Sequence, residues 1–171
     1  MRDPFLGIYR PSWRTKRIFR KFIREDPYGS PHIFPDHTIS KTNWFQKNEQ
    51  NSVQEFGKLI YSHLLPGYEK FVYDTLRIRV GLIDAWYQVY NKYSGASHIF
   101  HDHPECSIAN TYYIDLKDPQ LGTQYMIDNN VVRPKVREGD VIMFNGKIPH
   151  RSPPNHSDHD KVIVAFNVKV L

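Results

Sequence analysis

From about residue 70 onward, turn-forming residues cut the chain into short pieces rich in β-branched and aromatic side chains. The turn signals are Ser94-Gly95, Lys117-Asp118-Pro119, Asp128-Asn129-Asn130, Glu138-Gly139-Asp140, Asn145-Gly146 and Pro153-Pro154-Asn155. Between and before them lie strand candidates at 71–73, 75–82, 85–90, 97–103, 109–114, 124–127, 141–144 and 161–170. The run Thr75-Leu-Arg-Ile-Arg-Val alternates polar and apolar, the pattern of a half-buried strand. Many short strands at this spacing predict a mainly β protein, a sandwich or a barrel. Eleven Tyr and ten Phe suit strands and a ring-lined interior better than a helical bundle.

The first half reads differently. Residues 1–50 are interrupted by Pro4, Pro11, Pro27, Pro31 and Pro35, so an irregular basic segment is expected, with one or two helical turns over 15–23. Residues 51–171 form the expected domain proper, with a leading helix. Over 52–65, Val53, Phe56, Leu59, Ile60, His63 and Leu64 recur at three- and four-residue spacing. This predicts a packing helix, capped by Ser52 with Glu55 three residues on and ended by Pro66-Gly67.

The formal charge is +5, and Arg10, Arg14, Lys16, Arg17, Arg20, Lys21 and Arg24 fall within fifteen residues. Such an arm is either a solvated face or a surface for nucleic acid or an acidic partner. The lone cysteine, Cys106, rules out an internal disulfide and suits a reducing compartment. No apolar run approaches the ~20 residues of a membrane span. The start, Met1-Arg-Asp-Pro, has no signal-peptide stretch, so a cytoplasmic location is expected.

Six of the nine histidines lie between residues 98 and 159. His101 and His103 are two apart, so in a strand both side chains point the same way. His150, after the strand-like Asp140-Val-Ile-Met-Phe and the Asn145-Gly146 turn, would start another strand near a barrel mouth. Three imidazoles converging from two strands would hold one metal ion on a single face and leave the other positions open, an arrangement suited to non-haem Fe(II). Sites of this type commonly include a carboxylate. Asp102 points away in a regular strand, and Pro104 separates Glu105 from the pair, so Glu105 is a substitute ligand or an outer partner of the site. His98, His156 and His159 are read as surface residues.

At these residues the chain resembles the 2-oxoglutarate and Fe(II)-dependent oxygenases, and within them a small prolyl-hydroxylase-like branch. The resemblance rests on Trp86-Tyr-Gln-Val-Tyr-Asn, His101-Asp-His-Pro, Ala109-Asn-Thr-Tyr-Tyr-Ile, Glu138-Gly-Asp-Val-Ile-Met-Phe, Pro149-His150, Pro154-Asn155, Lys161 and Ala165-Phe-Asn167, covering residues 80–171. It implies a double-stranded β-helix, a jelly-roll barrel, with one or two N-terminal helices. It implies Fe(II) at His101, His103 and His150, with 2-oxoglutarate as co-substrate. Lys161 would pair with the distal carboxylate of 2-oxoglutarate, and Tyr113 would touch the same group while Tyr112 faces the other way. The branch usually has Arg where Lys161 stands and a small hydroxyl residue where Ile163 stands. The implied reaction consumes O2 and 2-oxoglutarate and releases succinate and carbon dioxide while hydroxylating a substrate. Trp86 and Tyr90, evenly spaced, would share one strand face as a pocket wall or as core.

Cupins have a similar spacing. Gly95, His101-Asp-His103, Gly139 and His150 fit their pattern, whereas Asn145, Lys147, Ser107 and Ile108 depart from it. That alternative keeps the barrel and the metal but not 2-oxoglutarate. Imidazole sites also accept zinc, copper and nickel.

Overall fold

A computed structural model describes residues 4–44 and 50–171, and the side chains of all of these except 50–54. Among the described residues eleven strands and three α-helices follow one another: β1 (Phe5–Tyr9), α1 (Trp13–Glu25), β2 (Ser30–Ile33), β3 (Thr38–Thr42), α2 (Gln50–Leu59), α3 (Leu65–Leu76), β4 (Val80–Tyr90), β5 (His98–His101), β6 (Ile108–Asp115), β7 (Gln124–Ile127), β8 (Asn130–Val132), β9 (Val141–Asn145), β10 (His150–Ser152) and β11 (Lys161–Val170). They build a seven-stranded sheet, β1-β9-β6-β11-β4-β3-β2, and a four-stranded sheet, β5-β10-β7-β8. Every strand pair is antiparallel. The mainly β jelly roll with N-terminal helices is therefore the observed architecture.

Period-2 alternation sorts the large sheet into two faces. On β11, Val162, Val164, Phe166 and Val168 join the cluster that packs against α1, α2 and α3. Ile163, Ala165 and Asn167 line the space between the sheets. On β4, Tyr87 and Val89 face the helices, whereas Trp86, Gln88 and Tyr90 face inward.

Residues 4–44, the described part of the N-terminal segment, are not irregular. They hold β1, α1, β2 and β3, three of them strands of the large sheet. Most of the prolines sit where the elements change, and Pro31 lies in the edge strand β2: Pro11 precedes the Ser12 cap of α1, whose Oγ accepts from Thr15 N–H (3.2 Å), and Pro27 follows its end at Asp26. Thr15, Phe19 and Ile23 bury one stripe of this helix at four-residue spacing.

The second helix does not stop at Pro66-Gly67 either. A π-helical turn, Ile60–Leu64, joins α2 to α3, and Pro66 falls in the first turn of α3, where a missing N–H costs little. Gly67 serves close packing, since a Cβ there would collide with the Tyr9 hydroxyl. Phe71–Tyr73 and Thr75–Leu76, expected in strands, belong to α3. Leu65, Tyr68 and Val72 recur at helical spacing and bury against the sheet. Arg77, at φ 58°, caps α3 in the left-handed conformation. Ser52 is not the cap of α2, because that helix already runs from Gln50 and Ser52 lies inside it. Among the described residues no helix is long and apolar enough to cross a membrane.

Candidate metal centre

His101 closes β5 and His150 opens β10, and the two residues are register partners across the small sheet. The two-residue spacing predicts His103 on the same strand as His101. The strand instead ends at His101, and a turn carries His103. That turn is pinned from below. His103 N–H donates to the Gly146 carbonyl (2.8 Å), and a Cβ at Gly146 would lie 2.6 Å from the His103 and Cys106 carbonyl oxygens. The glycine of the Asn145-Gly146 turn is thus required by close approach.

The three histidines each bring a ligand nitrogen within 4.8 Å of the others. Their chemistry fits a metal ion. His101 Nδ1 lies 2.9 Å from the Ile99 carbonyl, and His150 Nδ1 lies 3.1 Å from the Ile148 carbonyl. A carbonyl only accepts, so both Nδ1 atoms carry the proton and both Nε2 atoms keep a free lone pair. Burial pushes the pKa values of His101 and His103 down and that of His150 well down, so all three favour the neutral, ligating form. Glu105 Oε1 lies 3.6 Å from His103 Nδ1, beside the ring. It does not belong to the cluster of ligand atoms, which among the described residues contains no carboxylate.

Lys161 opens β11 and is fully buried. Its Nζ donates to Ser152 Oγ (2.7 Å) and lies 5.2 Å from the centre of the Tyr90 ring. Among the described residues no carboxylate pairs with it. Burial, reinforced by the Arg133 charge, lowers its pKa to about 7. Ser152 and Tyr90 line the same inner cavity as the three histidines. Tyr113, also fully buried, accepts a hydrogen bond from Thr123 N–H (3.2 Å), and burial raises its pKa, so it keeps a phenolic proton to donate. Its register partner is Ile163, the next inward position after Lys161. Tyr112 packs on the opposite face, among the helices.

The inner cavity measures 20 Å³. Next to it, sharing His98, His101 and His103 as lining, opens an apolar cavity of 180 Å³ walled also by Phe34, Ile39, Trp44, Trp86 and Gln88. Trp86 borders both, and its ring centre lies 5.7 Å from that of His103.

His98 is not a surface residue. Its ring stacks on His101 (4.0 Å, 25°) and on His37 (5.0 Å, 25°), and the Gln88 amide donates to its Nδ1 (3.4 Å). Burial, then the neighbouring histidines, lowers its pKa to about 2. His156 is exposed and His159 half-buried. Ser152 and Gln88 escaped the sequence reading although period 2 points to both: one is two residues past His150, the other midway between Trp86 and Tyr90. For His37, brought in from the N-terminal segment, no local signal exists.

No family model matches the chain, and no curated protein is similar to it in sequence. Solved structures are similar in fold. The α-ketoglutarate-dependent non-haem epimerase SnoN of nogalamycin biosynthesis superposes with a TM-score of 0.70 at 8% identity, covering 98% of this chain and 78% of its own. The viral collagen prolyl hydroxylase of Paramecium bursaria Chlorella virus-1, solved with 2-oxoglutarate, gives 0.60 at 12% identity, covering 99% and 97%. This chain has the fold of the 2-oxoglutarate and Fe(II)-dependent oxygenases. HygX of Streptomyces hygroscopicus, solved with nickel and 2-oxoglutarate, shares that oxygenase fold at 11% identity and a TM-score of 0.61, covering 97% and 82%.

Proposed function

We propose that the chain is an Fe(II)- and 2-oxoglutarate-dependent dioxygenase, with His101, His103 and His150 as the metal ligands and Lys161 as the anchor of the co-substrate's distal carboxylate. The observation that carries this reading is the buried Lys161 ammonium without an anionic partner, in the same barrel as three neutral histidines. A cation left unpaired in the interior costs several kcal/mol, and a dicarboxylate would repay that cost.

Iron held there would supply oxygen activation, with the balance substrate C–H + 2-oxoglutarate + O2 giving C–OH + succinate + CO2. The chain's own groups do the rest. Lys161 and the Tyr113 hydroxyl hold the far carboxylate. The inner cavity of 20 Å³ has room for about one water, so lining side chains must move for a five-carbon diacid to enter. Trp86 separates this space from the apolar outer cavity, where a substrate group would be kept away from water.

Anaerobic titration of metal-free protein with Fe(II) and then 2-oxoglutarate tests this. A visible charge-transfer band is expected, weakened in Lys161→Ala. Fe(II) binding without a band would replace this reading with a cupin-like metalloprotein that does not use 2-oxoglutarate.

A further inference from the structure

The seven cations between residues 10 and 24 fall into two sets. Three turn toward the barrel and find acids: Arg10 pairs with Asp140 (2.8 Å), Lys16 with Glu138 (2.6 Å), and Arg20 with Glu138 (2.8 Å) and Asp115. The other four, Arg14, Arg17, Lys21 and Arg24, are all exposed, and among the described residues none has a carboxylate within ion-pair distance. Their spacing of three, four and three residues places them in one line along α1, a row of about 15 Å at the helical rise of 1.5 Å per residue. The row is rigid because the opposite stripe, Thr15, Phe19 and Ile23, is locked into the core. Trp13, 64% exposed, stands at its N-terminal end with the Arg14 guanidinium 5.8 Å from the ring centre.

We propose that this face of α1 docks the phosphate backbone of a nucleic acid. Three of the four cations are guanidinium groups, whose fork matches phosphate geometry, and an exposed indole beside them offers a base a stacking platform. A membrane surface fits poorly. An interfacial helix needs an apolar face to bury in lipid, and the apolar face of α1 is already spent on the protein core. These four charges also make up most of the excess: without them the formal charge of +5 falls to +1 (5 − 4). The row lies on the helix side of the large sheet, whereas the histidines lie between the sheets. Docking is therefore separate from the metal site and independent of the oxygenase reading.

The test is fluorescence anisotropy of the full chain with labelled 20-mer DNA, single-stranded and duplex, across a salt series. The parent protein is expected to bind with a log K against log salt slope of about −3 to −4 on duplex, for about four phosphates neutralised. The quadruple variant R14Q/R17Q/K21Q/R24Q should lose at least ~10-fold in affinity at low salt and most of the slope. Each single substitution should reduce the slope by about 0.9. Trp13→Ala should weaken single strands more than duplex. Circular dichroism of the quadruple variant should match the parent, because all four side chains are solvent-facing. His150→Ala should bind DNA as the parent does. Absence of binding at low salt, a slope unchanged in the quadruple variant, or binding to vesicles containing phosphatidylserine but not to DNA would each overturn the proposal.

Discussion

The two faces of the seven-stranded sheet are made by the same strands and put to opposite uses. Toward the helices, β11 presents the apolar row Val162, Val164, Phe166 and Val168, and on that side the Tyr68 hydroxyl donates to Asn110 Oδ1 (2.8 Å). Toward the small sheet, β11 presents Ile163, Ala165 and Asn167, with Lys161 buried at its start. Here, among the described residues, the Lys161 amine lacks an anion and the buried Asn167 amide nitrogen has no hydrogen-bond partner. Groups left wanting in a closed interior destabilise the fold and favour a ligand that satisfies them. One face supplies the stability that the other gives up.

The contrast can be broken first at the histidines. His150→Ala should abolish the Fe(II)/2-oxoglutarate absorption band and any succinate release, by more than about 100-fold, while the far-UV spectrum stays that of the parent. The converse change is Phe166→Ala on the helix side. It should cost about 3–5 kcal/mol in urea unfolding, because Phe166 is fully buried with its ring 5.0 Å from that of Tyr68, and the variant that remains folded should still bind Fe(II).

Lys161→Met sharpens the comparison further. It removes a buried charge, so the metal-free protein should gain about 1–4 kcal/mol in denaturant unfolding while losing 2-oxoglutarate binding. The accompanying pH dependence has a definite sign. With a folded pKa of about 7 against an ordinary 10.5, the unfolded chain binds more protons between those values, so Lys161 makes stability rise with pH across that window. The smallest effect is expected from acid. His101, His103 and His150 have folded pKa values below 6.5, so metal-free protein should lose stability as pH falls below about 6.5. Thermal melts from pH 7.5 to 5.5 would read this, and a stability flat or increasing toward acid would contradict the neutral triad.

Much of the barrel was legible because strand signals are local. The bounds of β7 and β11 coincide with the expected 124–127 and 161–170. The histidine cluster was legible too, since two of its members are neighbours in sequence and the third follows a clear strand and turn. Illegible were features decided by distant partners. His98 carries no mark of burial; it is covered by Gln88 from β4 and His37 from the N-terminal segment. Gly67 sits inside a helix where it packs against the Tyr9 hydroxyl, nearly sixty residues earlier. Apolar runs such as Phe71–Tyr73 suit a strand or a buried helix equally, and packing against the sheet decided between them.

The position of β11 bears on how the protein comes to be made. It is the last strand in chain order, yet it lies between β6 and β4 and bonds to both along nearly its whole length. A ribosome that has released only the first 160 residues has therefore made two strands with a gap where their shared neighbour belongs. The nascent chain must hold those open edges apart from other chains until residues 161–170 emerge and slide between them, so the large sheet cannot close at its centre before then.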